Sequence, residues 1–187
     1  GKGSKDHVEV KRFLNCYPET FDKLIQTLTE ATIEYLCAQI KAGAEVIKIF
    51  DSWAGALSGL DMLRYSYKPL CKITKEIKEQ FPNIPVIVFP RGVGGGYELF
   101  SKVEEFSALA LDQFVPSHWA KSLQKDIILQ GNLDPIHLVT GGEKLKNEVR
   151  YLLDNLNKQP FIFNLGHGIT PDAKIENVEL LLKYIRG

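Results

Sequence analysis

Residues with chemical capacity follow the end of five separate apolar runs in this chain. Asp51-Ser52-Trp53 follows Val46-Ile47-Lys48-Ile49-Phe50, and Arg91 closes the stretch that begins at Val86-Ile87-Val88-Phe89. Asp112-Gln113 comes after Ala108-Leu109-Ala110-Leu111. Gln130-Gly131-Asn132-Leu133-Asp134 comes after Ile127-Ile128-Leu129, and Asn164-Leu165-Gly166-His167-Gly168 after Phe161-Ile162-Phe163. If the runs are parallel strands, these polar groups sit at their C-terminal ends, where α/β proteins place their sites.

Each group has a bland role beside the chemical one. Asp51 can act as a general base or charge stabiliser, but a carboxylate at a strand end more commonly caps a turn or accepts a buried hydrogen bond. Ser52 has no neighbouring histidine and no G-x-S-x-G elbow, so its hydroxyl suits donation to a ligand carboxylate better than nucleophilic attack. Arg91 is the one arginine at such a position, and both a salt bridge and ligand binding are open to it. Asn132 and Asp134 precede Pro135, which favours a structured turn and helix start over ligand contact. His167 lies between two glycines, which would let backbone approach a ligand closely, and a histidine there reads as a site residue. His7, His118 and His137 lack that context and read as surface or packing residues. Neither His nor Cys occurs in pairs at zinc-ligand spacing, so no metal site is expected.

The elements that position these groups alternate. An amphipathic stripe at Phe21, Leu24, Ile25, Leu28, Ala31, Tyr35, Leu36 and Ile40 predicts a helix opened by Pro18 and stopped by Gly43. Further helices are expected over residues 58–81, broken near Pro69, and over 97–106, 118–123, 143–157 and 175–185. The strands are expected near 46–50, 86–89, 108–112, 127–130 and 161–165. Strands without amphipathic alternation, spaced by helices, belong to a parallel sheet covered on both faces or closed into a barrel. A doubly wound nucleotide-binding sheet fits the count less well, because Tyr97 stands where G-x-G-x-x-G requires glycine after Gly92-Val93-Gly94-Gly95-Gly96.

The bulk properties are those of a globular protein of 187 residues, 44% hydrophobic and 25% charged. Lys plus Arg and Asp plus Glu balance at 23 each, so no net field favours nucleic acid or an anionic membrane. No apolar run approaches the roughly 18 residues of a membrane span. Cys16, Cys37 and Cys71 suit reduced core thiols in a cytoplasmic protein rather than a disulfide framework. The start, Gly1-Lys2-Gly3-Ser4-Lys5-Asp6, reads as an internal cut and not as a signal peptide.

Three segments are familiar. Ile49-Phe50-Asp51-Ser52-Trp53-Ala54-Gly55, Leu129-Gln130-Gly131-Asn132-Leu133-Asp134-Pro135 and Phe163-Asn164-Leu165-Gly166-His167-Gly168 resemble, in order and at similar spacing, motifs of the uroporphyrinogen decarboxylase family. The resemblance runs from Gly1 to the end. It implies a TIM (β/α)8 barrel, here an incomplete one lacking its N-terminal strands, with residues 1–187 as the C-terminal portion of a single barrel domain. It further implies a cytoplasmic homodimer that removes the acetate carboxyl groups of uroporphyrinogen III to give coproporphyrinogen III in haem biosynthesis, with no metal and no organic cofactor. Ser52 and His167 would contact substrate carboxylates, with Asp51, Arg91, Asn132 and Asn164 as secondary candidates. The family's cationic N-terminal segment, its early-strand aspartate and a substrate-binding tyrosine would lie outside this chain, so the chain alone is expected to be inactive. Two departures are Leu111-Asp112-Gln113, where the family usually has tryptophan third, and Phe89-Pro90-Arg91-Gly92, where lysine more often precedes the glycine. The alternatives are a methyltransferase of the same superfamily, which would need thiolate or histidine ligands at strand ends, and a non-catalytic truncated half-barrel.

Overall fold

The structure is a computed structural model and describes residues 5–187. It divides into two compact units: one runs to Val93 and includes Val103–Phe106, the other holds Gly94–Lys102 and Ser107–Gly187.

In the first unit a 3-10 turn at Lys5–His7 leads into α1 (Val8–Cys16), α2 (Pro18–Lys41), β1 (Ile47–Asp51), a 3-10 turn at Ala54–Ala56, α3 (Gly59–Met62), a π turn (Leu63–Tyr67), α4 (Lys68–Gln80) and β2 (Val86–Pro90). β1 and β2 pair in parallel with Ile47 opposite Val86 and Asp51 opposite Pro90. α2 packs along α4. Leu14, Phe21 and Tyr65 form a buried cluster, and Ile77, Val86 and Val88 are fully buried.

The α2 stripe differs from the sequence reading. The helix buries Phe21, Thr29, Ile33, Leu36 and Cys37, whereas Leu24, Leu28 and Tyr35 are exposed. Leu28 and Tyr35 instead line an open groove of about 440 Å³ together with Phe50 of β1. The stop at Gly43 holds: its N–H donates to the Ile40 carbonyl. The break expected at Pro69 does not occur. Helical backbone continues from α3 to α4, and the π turn just before the proline relieves the clash a proline ring makes with the carbonyl four residues back. The short helix α1 lacks a clear sequence signal, because only Leu14 on it is buried.

The second unit carries a 3-10 turn at Gly94–Gly96, α5 (Tyr97–Phe100), β3 (Ala108–Ala110), α6 (Ser117–Leu123), β4 (Ile128–Leu133), α7 (Ile136–Thr140), α8 (Gly142–Leu156), β5 (Phe161–Leu165) and α9 (Ile175–Arg186). β3, β4 and β5 pair in parallel in chain order. α8 buries Leu145, Val149, Leu152 and Leu156, the face its periodicity predicts. The helix expected over 97–106 ends at Phe100, and the helix start expected at Pro135 opens the short α7. β4 extends to Leu133, so Gln130 and Asn132 lie inside the strand and not in a turn after it. The cysteines are free thiols, but only Cys37 is a core residue; Cys16 is exposed and Cys71 half-buried. Five strands, parallel within each unit and interleaved with helices, make an α/β fold of the kind a partial (β/α)8 barrel has.

Candidate functional site

In the first unit the site residues sit on a clipped pair of turns. Asp51 ends β1 and accepts a 2.5 Å hydrogen bond from the Ser66 hydroxyl of the π turn. Its carboxyl also accepts from the Trp53 N–H, but burial dominates and holds it above its ordinary protonation range. The Asp51 carbonyl accepts from the Arg91 N–H at 3.0 Å, and the Arg91 carbonyl accepts from the Gly55 N–H at 2.9 Å. The turns approach so closely that a Cβ on Gly55 would lie 2.5 Å from the Gly92 carbonyl oxygen. Gly92 itself has φ +80°, a conformation that suits glycine. The motif glycine at 55 is therefore a packing requirement.

Two groups on this frame are uncommitted. The half-buried Ser52 hydroxyl makes no hydrogen bond among the described residues, and the half-buried Arg91 has a buried Nε without a partner. Beside them the exposed Trp53 ring meets His7 edge-on at 4.8 Å. The Lys48 ammonium lies over the Phe50 and Phe89 rings, at 4.6 and 5.3 Å, and burial pulls its protonation range down.

In the second unit most of the polar strand-end residues serve structure. Asp112 is 2% exposed and accepts from the Tyr97 hydroxyl and the Phe114 N–H, both at 2.9 Å. Asn132 donates to the Asp112 and Val115 carbonyls at 2.9 and 2.8 Å. These bonds tie β4 to the turn that follows β3, a buried structural role like the one its sequence context favoured, though from within a strand. Asp134 accepts from the Ile136 N–H at 3.0 Å and starts α7. The exposed Asn164 accepts from its neighbour Leu165 N–H. Gly166 is buried, and a Cβ there would overlap the Gln113 backbone nitrogen. That glycine admits protein backbone rather than ligand, which corrects the reading of the glycine pair; Gly168 faces open space. Between them His167 is exposed and makes no hydrogen bond to another described residue. Gln113 Oε1, Gln130 Oε1, Asn132 Oδ1 and Thr170 Oγ1 in this unit are also buried without a hydrogen-bond partner among the described residues. Among the described residues no set of three His, Cys, Asp or Glu side chains could hold a metal ion.

The family model described as Uroporphyrinogen decarboxylase (URO-D) matches residues 1–187. The chain belongs to the uroporphyrinogen decarboxylase family. Proteins named uroporphyrinogen decarboxylase from Jannaschia sp. (strain CCS1) and Ruegeria pomeroyi are each 49% identical to it, covering all of this chain and 55% and 54% of their own lengths. The one from Paracoccus denitrificans is 47% identical over the whole chain and 55% of its own length. The chain thus spans about half the length of the curated relatives it matches, which accords with a partial barrel.

Within this family member, the residues singled out in the sequence separate into two classes. The Ser52 hydroxyl, the His167 ring and the Arg91 Nε have no hydrogen-bond partner among the described residues, whereas Asp51, Asp112, Asn132, Asp134 and Asn164 are engaged in hydrogen bonds. Sequence reasoning missed Ser66 as the partner of Asp51, Tyr97 as the partner of Asp112, and His7 against Trp53. The first two had no signal, since a serine mid-helix and a tyrosine opening a helix carry no spacing rule toward a distant strand end. His7 precedes Trp53 by too many residues for any local pattern to join them.

Proposed function

We propose that the whole protein to which this chain belongs converts uroporphyrinogen III to coproporphyrinogen III by decarboxylating its acetate side chains. The observation that carries the reading is the family match across all of residues 1–187. Each cycle releases carbon dioxide and leaves an electron pair on the side-chain methylene carbon. A pyrrole ring protonated on carbon accepts that pair, the methylene then takes up a proton to become methyl, and the ring carbon releases the proton it had gained, so each cycle consumes one proton per carbon dioxide released. The substrate supplies its own electron sink, so the protein's task is to hold carboxylates and stabilise charge. In this reading no metal or organic cofactor takes part, the active form is a cytoplasmic homodimer, and residues 1–187 form one portion of a single barrel domain.

The uncommitted residues of this chain would serve binding. Ser52 offers a hydroxyl donor to a substrate carboxylate, and His167 offers a ring N–H to an acetate or propionate. Asp51, engaged by Ser66 and the Trp53 N–H, holds the turn that carries Ser52 and is not the proton carrier. The test is to express the complete gene and incubate the purified protein anaerobically with uroporphyrinogen III, separating the products by chromatography. Coproporphyrinogen is the expected product. Full retention of the acetate carboxyl groups, with a known decarboxylase active in parallel, would refute the proposal.

A further inference from the structure

We infer that Arg91 is a substrate-binding residue, its guanidinium receiving the same porphyrinogen carboxylate that the Ser52 hydroxyl meets. The inference rests on the decarboxylase reading above and adds to it a cation and a shared ligand.

Arginine stays charged in proteins, so a guanidinium withdrawn from water needs an anionic or acceptor partner. Arg12 pairs with Glu9 and Arg64 with Asp22, and Arg150 and Arg186 are exposed to solvent. Arg91 is the half-buried one, its Nε is closed off without a partner, and no carboxylate among the described residues pairs with it. The nearest acid in the paired strands, Asp51, already accepts from Ser66 and Trp53. The orphaned donor therefore points to an acceptor from outside the described residues.

The frame around Arg91 identifies that acceptor. The Arg91 N–H bonds the Asp51 carbonyl and the Arg91 carbonyl receives the Gly55 N–H, so the two turns are fixed at both ends of the Ser52 segment. Close packing of Gly55 on Gly92 locks the same arrangement. Ser52 follows Asp51 directly, so the backbone that carries its uncommitted hydroxyl is fixed beside the backbone of Arg91. Two uncommitted donors carried on adjoining turns suit an anionic oxygen pair, which a carboxylate provides and a guanidinium fork grips in two places. A point-charge ammonium at this position would hold the charge without the fork.

The experiment uses the protein from the complete gene and compares wild type with Arg91→Gln, Arg91→Lys, Ser52→Ala and the Ser52→Ala/Arg91→Gln double variant. Thermal unfolding establishes the folded state of each. Loss of a charge-assisted contact should raise KM, and the Kd for porphyrin from fluorescence quenching, roughly ten- to a hundredfold in Arg91→Gln, with kcat changed far less. Arg91→Lys should fall between, and the ionic-strength dependence of KM should weaken in Arg91→Gln. The double variant should lose less than the product of the two single losses, because both side chains grip one carboxylate. Unchanged KM and Kd in Arg91→Gln, or a fall in Tm alone, would show a structural arginine and overturn the inference. Strictly multiplicative losses in the cycle would overturn the shared carboxylate. If Arg91→Gln does not fold, Arg91→Lys decides by the same readouts. A wild-type protein that leaves uroporphyrinogen intact would instead bring down the decarboxylase reading, so the two failures are distinct.

Discussion

At Asp51, burial and hydrogen bonding pull the carboxyl in opposite directions, and burial wins. An acid raised in the folded state adds stability that is full below its ordinary value of 3.8 and is lost as pH rises through the raised value. Asp51→Asn removes that titration. The Tm difference between wild type and variant should therefore move against wild type as pH is raised from below 3.8 toward neutrality. A pH-independent difference in a thermal melt series would contradict the assigned direction. Ser52 and His167 behave differently, since neither holds another described residue. In the protein from the complete gene, Ser52→Ala and His167→Asn should leave Tm nearly unchanged and weaken transition-state binding by about 1.5–3 kcal/mol each. The measure is kcat/KM with uroporphyrinogen III, together with partly decarboxylated intermediates in the product profile; native values in both variants would end the assignment. These residues were legible in the sequence because they follow apolar runs. Which of them are free to bind was not, because Ser66 and Tyr97 reach their partners across the fold.

The turns after β1 and β2 act as one element, joined by two main-chain bonds and the Gly55–Gly92 contact. Gly55→Ala forces a methyl to within 2.5 Å of a backbone carbonyl that has no flexible side chain to swing aside. The expected cost is about 1–3 kcal/mol, as for an overpacked core site, read as a lower midpoint in urea unfolding. Gly95→Ala is the control, since a Cβ there meets nothing within 4 Å. Equal midpoints for the two variants would show that the turns can part without penalty. The sequence exposed β2 most plainly, because it is a fully buried apolar segment with no competing helical period. It misjudged elements where a local rule met a tertiary exception. Pro69 signalled a break that the π turn absorbs, and the apolar residues of β4 ended before the strand did, because Gln130 and Asn132 continue it as buried polar residues.

At the scale of the whole molecule, the exposed stripe of α2 and the outer side of β1 belong together. Leu28, Tyr35 and Phe50 are 53%, 65% and 61% exposed and line one groove, while β1 pairs with β2 alone among the described residues. Periodicity marked Leu24, Leu28 and Tyr35 as core because the pattern reports what a helix is built to bury, not what is present to bury it. The relatives are nearly twice as long as this chain, so they have further residues that could pack there. A polypeptide limited to residues 1–187 would leave an unpaired strand edge beside an apolar groove, the combination that recruits other chains. We expect it to self-associate, with sedimentation velocity giving a weight-average mass that rises with concentration, and to bind a hydrophobic dye that the protein from the complete gene excludes. We also expect no coproporphyrinogen from it in an anaerobic assay. On the proposed reading Ser52, Arg91 and His167 hold carboxylates, while Asp51 and Asp112 are tied into the structure by hydrogen bonds and do not serve to stabilise a protonated pyrrole. A monodisperse monomer would show that the groove tolerates water. Turnover near the rate of the complete protein would place the missing charge within these residues, with Asp51, freed from Ser66, the first to be tested.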